Sequence, residues 1–393
     1  MSKQLTCWRF HAVDSWFFRE TRAHDAVGVS ELSSVFPPPA RTLMGAIRTW
    51  LGDQLGVDWS AFSRGEAQPS LQSLLGDADH LGELSLAVVV LRHGGETLWP
   101  CPADVMLGEH DGKVQVSRLV PGSAVESDLG RVALPTVAAG TPLGSKVVEG
   151  AWLTAEGMMT WLEGGVPTVE QIVTLDALVE EEPRLGIGRD NRSGTVKPGL
   201  LYQTRHLRLR DESTCVEAWV SGVPGTVIRD ATSQQTLRLG GEGRMASVNL
   251  SEEARLPLPE SVHGKGERLA LWLIAPALIA EADASSGLPG FMPITTADGL
   301  DVWEGDIEGV ALRLVSSCRP RAFREGGWDQ RLRRPRPVRS YLAPGTVLFC
   351  EIRDDTPMGQ ALERLNGSQI GADGDWGKGR ILASAIDWPD PNP

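Results

Sequence analysis

A proline-rich stretch that leads directly into an apolar stripe is the feature that most constrains this chain. It reads V-F-P-P-P-A-R-T-L-M-G-A-I-R-T-W from Val35 to Trp50. Proline holds φ near −65° and lacks an N–H group, so Pro37 to Pro39 are predicted to be extended, with Pro39 suited to the first turn of a helix. Apolar side chains then recur at every fourth position, at Leu43, Ile47, Leu51 and Leu55. This spacing predicts a helix that buries one face in a core.

A second line along the same predicted helix carries two arginines and two glycines, namely Arg41, Gly45, Arg48 and Gly52. Glycine has no side chain, and the arginine guanidinium forks onto phosphates and carboxylates. An anionic partner could therefore approach the helix backbone closely along this line. The alternative is that both arginines are ordinary solvated residues on the outer face of the helix.

Length and composition indicate a globular protein of two or three domains. The chain has 393 residues and a formal charge of −13, which argues against indiscriminate binding to nucleic acid. Its five cysteines are far apart and form no C-x-x-C pair, so neither a disulfide framework nor a zinc site is expected. No apolar run has the length of a signal peptide or membrane span, and we expect a cytoplasmic protein with no membrane partner.

One segment reverses the acidic character of the chain. Between Arg319 and Arg339, eight arginines stand against two acidic residues, a local balance of +6. Arginine both forks onto phosphate and stacks on bases, so this segment is a candidate for RNA binding. Trp328 lies within it and offers a stacking surface beside guanidinium groups, although a buried tryptophan that flanks a surface loop is the alternative. The neighbouring arginines are Arg331, Arg333, Arg334 and Arg336.

The order of predicted strands and helices indicates an α+β fold with a weak internal duplication. We predict an N-terminal domain over residues 1–255, with an insertion at about 103–198, and a C-terminal domain over residues 268–393. Each begins with a strand and ends with a glycine turn that feeds another strand, as in a β-α-β unit of ferredoxin-like size. Three further elements are predicted clearly: a helix from Thr154 to Leu162, a strand from Val310 to Cys318, and a helix from Pro357 to Asn366 capped by Thr356.

Two glycine-rich loops are candidates for anion binding. In L-G-G-E-G-R, the residues Gly240, Gly241 and Gly243 permit a backbone that exposes its N–H groups, and Arg244 adds a positive charge. The loop R-L-G-I-G-R-D-N-R-S-G carries Arg189 and Arg192 but has no Walker lysine, so it is a poor match to a nucleotide-binding P-loop. A plain hairpin turn is the other interpretation of that second loop.

Five motifs in the same order resemble one known family. They are F-F-R-E-T-R from Phe17, F-P-P-P-A-R-T-L-M-G-A-I-R from Phe36, L-G-I-G-R-D-N-R-S-G-T-V-K-P-G-L-L-Y from Leu185, L-G-G-E-G-R from Leu239 and G-G-W-D-Q-R from Gly326. Together they are similar to the Cmr-three subunits of type III-B CRISPR effector complexes, which belong to the repeat-associated (RAMP) superfamily.

The resemblance implies two ferredoxin-like (RRM-type) domains with glycine-rich closing loops. It also implies a subunit without catalytic residues or cofactor that grips the 5′ repeat-derived tag of the CRISPR RNA. The expected protein partners are the large polymerase/cyclase-like subunit and a backbone RAMP subunit of the same complex. The residues that we predict to bind RNA are Arg19, Arg22, Arg41, Arg48, Arg189, Arg192, Gly240, Gly241, Gly243, Arg244, Trp328, Arg331, Arg333, Arg334 and Arg336.

The last glycine loop, G-A-D-G-D-W-G-K-G, departs from a phosphate-binding pattern. Two aspartates stand in it where a phosphate contact favours none. The pattern therefore does not favour direct RNA contact over Gly374 to Gly377.

Two other functions remain open on the sequence. One is a metal-independent endoribonuclease of the same superfamily, with His11, His24 or His206 as the acid or base. Each of these histidines is isolated in the sequence, and a structural role is the alternative for all three. The other is a scaffold that contacts only protein, in which the arginine-rich segment pairs with an acidic neighbour.

Overall fold

The computed structural model of the chain separates into two compact units. It describes residues 4–20, 31–128, 130–190, 192–230, 234–259, 263–329 and 332–390. Unit 1 consists of Met1–Gly95, Asp176–Leu256 and Arg324–Arg339. Unit 2 consists of Glu96–Leu175, Pro257–Phe323 and Ser340–Pro393. Three residues with predicted roles, Arg22, His24 and Arg331, lie outside the described residues.

The described elements are mainly strands. The helices are α1 (Ala40–Gln54), α2 (Trp59–Ser63), α3 (Pro69–Leu75), α4 (Ala155–Leu162), α5 (Leu175–Leu178), α6 (Gly225–Asp230) and α7 (Met358–Leu365). The strands are β1 (Leu5–Ala12), β2 (Glu31–Leu32), β3 (Ser85–His93), β4 (Glu96–Pro100), β5 (Val105–His110), β6 (Lys113–Ser127), β7 (Gly130–Val137), β8 (Lys146–Val147), β9 (Ala151–Leu153), β10 (Ile172–Thr174), β11 (Val179–Arg189), β12 (Val196–Leu209), β13 (Cys215–Ser221), β14 (Gln235–Arg238), β15 (Met245–Glu253), β16 (Arg268–Leu273), β17 (Met292–Thr295), β18 (Asp301–Ile307), β19 (Val310–Cys318), β20 (Phe323–Glu325), β21 (Trp328–Asp329), β22 (Arg334–Pro335), β23 (Arg339–Tyr341), β24 (Val347–Ile352) and β25 (Ile381–Ala385).

Unit 1 contains an antiparallel sheet with the strand order β3–β13–β1–β15–β14. Helix α1 lies between β1 and β3 along the chain, and α6 lies between β13 and β15. This is the connectivity of a β-α-β-β-α-β unit, in which each helix crosses between strands that are not neighbours. A second, three-stranded sheet of the same unit has the order β11–β12–β2.

Helix α1 confirms the prediction made from the proline stretch. It begins at Ala40, and its side chains Leu43, Ile47 and Leu51 are fully buried. Pro39 is the N-cap residue and so precedes the first turn, and Leu55 is the C-cap residue and is half-buried. Trp50 joins this face, because its ring meets the Trp8 ring of β1 edge-on at a centroid distance of 5.2 Å. Each buried aliphatic side chain stabilises the fold by about 1.5–3 kcal/mol.

Unit 2 contains an antiparallel sheet with the order β17–β18–β19–β24–β16–β25. Helix α7 connects β24 to β25 and buries Met358, Ala361, Leu362 and Leu365. The connection from β16 to β18 contains one 3₁₀ turn, Glu281–Asp283, and no α-helix among its described residues. The strand order is again that of a β-α-β-β-α-β unit, here with the first helix replaced.

The predicted cap of α7 is wrong. Pro357 is the N-cap residue and the helix begins at Met358, with no side-chain hydrogen bond to the cap. The Asp354 carboxylate accepts the Thr356 N–H at 3.0 Å instead. Asp354 therefore organises the turn that precedes the helix, and Gly367, at φ 81°, follows its end as predicted.

The remaining part of unit 2 carries a four-stranded sheet, β7–β6–β5–β8, and helix α4. The helix predicted from Thr154 to Leu162 begins at Ala155, and Thr154 is its N-cap residue, since its hydroxyl accepts the Gly157 N–H at 3.1 Å. Arg118 of β6 donates to the Asp104 carboxylate at 2.7 Å, and both side chains are almost completely buried.

Among the described residues, no helix is long and apolar enough to cross a membrane.

Candidate nucleic-acid interface

Every described residue that the sequence predicted to bind RNA lies in unit 1. This unit carries 25 of the 38 lysines and arginines and 24 of the 51 acidic residues, a formal charge of +1. Unit 2 carries the other 13 and 27, a formal charge of −14. The acidic character of the chain therefore belongs to unit 2, and a polyanion meets far less repulsion at unit 1.

The glycine loop between β14 and β15 is held against the segment that follows β1. Gly241 donates its N–H to the Phe17 carbonyl oxygen at 2.8 Å, so this N–H is not available to an anion. Gly240 has φ 87°, and a Cβ there would stand 2.6 Å from the same oxygen. Gly243, at φ 66°, has no atom within 4 Å of its Cβ position. The loop is thus closed at Gly240 and open at Gly243.

Arg244 belongs to an ion cluster that sequence analysis missed. The Asp14 carboxylate binds Arg244 at 3.3 Å, Arg208 at 2.8 Å and Arg184 at 3.0 Å. Glu182 binds Arg184 at 2.7 Å and Arg208 at 2.6 Å, so three guanidinium groups face two carboxylates. Hydrogen bonds from Arg184 and Arg208 hold the pKa of the Asp14 carboxyl below its usual range. The cluster keeps one excess positive charge beside the glycine loop.

His206 is a packed residue of this region. Its ring stacks on Phe17 at a centroid distance of 5.2 Å, and its nitrogens lie 3.3 Å from the Ser15 hydroxyl and 3.1 Å from the Thr204 hydroxyl. The side chain is 1% exposed. Burial lowers the pKa of His206, and the charges of Arg184 and Arg244 lower it further. A buried, neutral and doubly partnered imidazole is suited to a structural role.

The two glycines in the arginine and glycine line of helix α1 have different surroundings. Gly45 is exposed with open space at its Cβ position, whereas a Cβ at Gly52 would stand 2.4 Å from the Trp59 ring. Gly52 therefore serves packing and not ligand approach. Arg48 donates from Nη2 to the Asp77 carbonyl oxygen at 2.7 Å, and burial lowers the pKa of its guanidinium. The charge of Arg41 contributes to that lowering, so the two predicted arginines act on one another.

Residues Arg324–Arg339 form the part of unit 1 that we call the arginine arm. Trp328 of β21 is 54% exposed and pairs with Pro335 of β22. The Arg336 guanidinium is held by three contacts. It donates to the Asp79 carboxylate at 2.8 Å and to the Ala78 carbonyl oxygen at 2.9 Å, and it lies 3.2 Å from the Asp329 carboxylate. Arg333 and Arg334 are exposed. The arm thus presents the Trp328 indole beside the guanidinium groups of Arg333 and Arg334, while Arg336 anchors it.

Strands β11 and β12 form a long hairpin, as the plainer interpretation of the Arg184–Gly194 loop predicted. The Asp190 carboxylate accepts the N–H groups of Arg192 and Ser193 at 2.8 and 3.1 Å, which shapes the turn beside Arg189. Sequence analysis missed an exposed aliphatic row on this hairpin, consisting of Leu185, Ile187 and Leu201. The alternation L-G-I-G was the available signal, because residues two apart share a face of a strand.

Two further predictions concern single residues. Arg19 is exposed, and its backbone forms an isolated antiparallel β-bridge with Ser34, just before the proline stretch. His11 lies at the end of β1, half-buried, and burial lowers its pKa. No group of three metal-ligating side chains is placed to hold an ion within the part of the chain that the structure describes.

Comparison with known proteins places these features in a family. Residues 8–385 match the family described as CRISPR-associated protein (Cas_Cmr3). No curated protein sequence matches the chain. A chain of similar fold occurs in the cryo-EM structure of the Type III-B Cmr-beta bound to cognate target RNA and AMPPnP, state 1. The two chains are 13% identical, the match covers 88% of this chain and 86% of that chain, and the TM-score is 0.47. Another occurs in the crystal structure of the Csm3-Csm4 subcomplex in the type III-A CRISPR-Cas interference complex, at 10% identity, 91% and 97% coverage, and a TM-score of 0.33.

Proposed function

Because the chain belongs to the Cas_Cmr3 family of CRISPR-associated proteins, we propose that it binds the 5′ repeat-derived tag of the CRISPR RNA within a type III-B effector complex. In this function it is a non-catalytic cytoplasmic subunit built on two ferredoxin-like domains. It docks the large polymerase/cyclase-like subunit and a backbone RAMP subunit. The observation that carries the RNA-binding part is the gathering of the described candidate residues in unit 1, whose formal charge is +1 against −14 for unit 2.

The exposed groups of unit 1 suit a single-stranded RNA of fixed sequence. Such an RNA is held by stacking of its unpaired bases on aromatic rings and by contacts to its phosphates. Trp328 supplies a half-exposed ring, and Arg333 and Arg334 supply guanidinium groups on the same arm. We assign base stacking to Trp328 and phosphate contacts to the two arginines.

The glycine loop supplies a second contact region. The backbone is open at Gly243, and Arg244 follows directly with an ion cluster that has one excess positive charge. A phosphate that approaches Gly243 gains attraction from this cluster without a side chain in its way. We therefore assign backbone contact with the RNA to Gly243.

The surroundings of His206 disfavour this residue as the acid or base of a nuclease. A general acid or base must reach the proton that it transfers, directly or through one water. His206 is 1% exposed and stacked beneath Phe17, and His11 is half-buried at the end of a strand. His206 is therefore not suited to meet a scissile phosphate, whereas His11 is half-exposed and His24 lies outside the described residues. RNA binding is better supported by the gathering of the described candidate residues in unit 1.

Charge reversal on the arginine arm tests the proposal against the protein-only scaffold. The variant carries Arg333→Glu and Arg334→Glu, and the complex is purified through a tag on this chain. We expect bound RNA to fall at least about tenfold, since two phosphate contacts become repulsive, while the subunit composition stays unchanged. The matched control carries Lys113→Glu and Lys146→Glu, which make the same charge change at exposed positions of unit 2, and retains RNA. Loss of subunits with RNA retained would support the scaffold instead.

A further inference from the structure

Lys378 lies in the glycine loop that precedes the last strand of unit 2, and its side chain is inside the protein. It is 3% exposed. Its ammonium nitrogen lies 4.7 Å from the ring centroid of Tyr341 and 5.6 Å from that of Phe323. These distances are those of cation–π contacts, which are strongest when the cation is removed from water. The only lysine of this loop is therefore directed into an aromatic pair and away from solvent.

The two rings that hold Lys378 mark the ends of the arginine arm. The chain leaves unit 2 after Phe323 and returns to it at Ser340, one residue before Tyr341. The Phe323 and Tyr341 rings meet edge-on at a centroid distance of 6.1 Å. We call these two residues the neck of the arm. Lys378 contacts both sides of the neck and links them through one cation.

Part of the backbone of the Lys378 loop is also engaged within unit 2. Gly379 accepts the Ile370 N–H at 2.8 Å and donates its own N–H to the Pro276 carbonyl oxygen at 2.9 Å. Ala372 donates to the Leu278 carbonyl oxygen at 2.9 Å. These N–H groups are not available as an anion-binding nest, in contrast to a loop that exposes them.

The charges that remain near the loop surface also disfavour RNA. Arg380 donates to the Gly367 carbonyl oxygen, and burial lowers the pKa of its guanidinium. Asp375 is exposed at the tip of the loop and Asp373 is half-exposed. The corresponding loop of unit 1 also carries an exposed acidic residue, Glu242, but Gly243 there is open and Arg244 follows it.

We propose that Lys378 is a positioning residue that closes the neck of the arginine arm, and that the glycine loop of unit 2 does not contact RNA. The two glycine loops then have different functions, with RNA contact at the loop of unit 1 and arm positioning at the loop of unit 2. This inference rests on the proposed RNA-binding function only in its second half. The closing of the neck is a property of the chain itself.

The test compares Lys378→Met with Lys378→Arg in the full-length chain. Methionine keeps the length and apolar stem of the side chain but removes the cation, whereas arginine retains the cation–π contact. The chain is digested with trypsin, and the released peptides are identified by mass spectrometry. We expect trypsin to cleave the arm about tenfold faster in Lys378→Met than in the wild type, and at the wild-type rate in Lys378→Arg. Unchanged cleavage in Lys378→Met would overturn the neck assignment. Phe323→Leu, at a half-buried position, removes one ring only and is the second variant if Lys378→Met does not fold.

Photocrosslinking of the RNA in the assembled complex tests the second half. We expect crosslinked peptides from unit 1, including the arm, and none from residues 371–380. Lys378→Met lowers the yield of arm crosslinks, and Lys378→Arg restores it. Crosslinks within 371–380 would overturn this inference while leaving the proposed function intact. A complex without bound RNA would overturn the proposed function, and the trypsin experiment would still decide the role of Lys378.

Discussion

Gly240 lies against the carbonyl oxygen of Phe17 so closely that a Cβ on Gly240 would stand 2.6 Å from that oxygen. The contact joins the glycine loop to the segment after β1, and Gly241 reinforces it by donating to the same oxygen at 2.8 Å. At φ 87°, Gly240 also adopts a conformation that other residues occupy at a cost. This position requires glycine for two independent reasons.

Gly240→Ala is therefore expected to lower the free energy of unfolding by about 2–4 kcal/mol, from the backbone conformation and the clash together. Denaturant unfolding of the full-length chain measures it. The control is Gly243→Ala, which has φ 66° but open space at its Cβ position and is expected to cost only about 1 kcal/mol. Equal losses in the two variants would contradict the role assigned to the Phe17 carbonyl.

The buried pair of Arg118 and Asp104 gives a prediction for unit 2. Arg118→Met leaves the Asp104 carboxylate in the interior without its guanidinium partner, although the Trp161 indole N–H still donates to it at 3.0 Å. We expect a loss of about 3–5 kcal/mol in unfolding free energy. Arg64→Met breaks the exposed pair with Glu66 and is expected to cost less than about 1 kcal/mol. A small loss in Arg118→Met would show that the pair contributes little.

The stability of the chain is expected to fall in mild acid, in part because of His206. Burial lowers the pKa of His206 from its ordinary value of 6.5, so the unfolded chain takes up the proton before the folded one does. The neutral ring's contribution is complete above about pH 6.5 and is lost as the pH falls toward the folded-state pKa. His206→Gln should flatten the dependence of unfolding free energy on pH in that window. An unchanged slope in His206→Gln would contradict the assignment.

Trp328→Ala tests base stacking on the arginine arm. Removal of a stacking ring costs about 1–3 kcal/mol per base, which corresponds to an RNA affinity lower by roughly 5- to 150-fold. Because Trp328 is 54% exposed, the melting temperature of the complex should change little. Leu143→Ala, at a fully exposed position of unit 2, is the control for loss of exposed apolar surface. Unchanged RNA affinity in Trp328→Ala would remove this residue from the interface.

The local elements could be predicted because each depends on residues close together in the sequence. The stripe from Leu43 to Leu51 was sufficient for α1, and alternating apolar residues were sufficient for β19, Val310–Cys318. The predicted division between residues 255 and 268 stays a prediction, as do the individual RNA contacts. The residue-level assignments on α1 were less accurate, since Gly52 proved to accommodate the Trp59 ring.

The long-range contacts could not be predicted, because periodicity carries no information about partners far apart in the chain. Arg336 is anchored by Asp79, 257 residues away. Arg244 meets Asp14, 230 residues away. Nothing near either arginine in the sequence indicates these carboxylates. The contacts of Lys378 with Phe323 and Tyr341 at the neck of the arm are also long-range contacts, which only the folded chain reveals.

Purification of the tagged chain from its native host, followed by sequencing of the 5′ ends of the bound RNA, tests the central claim most directly. We predict several co-purifying protein subunits and small RNAs that share one repeat-derived 5′ end. A chain that comes down alone and cuts repeat RNA in the absence of metal would contradict this account and return His11, His24 and His206 to consideration as catalytic residues.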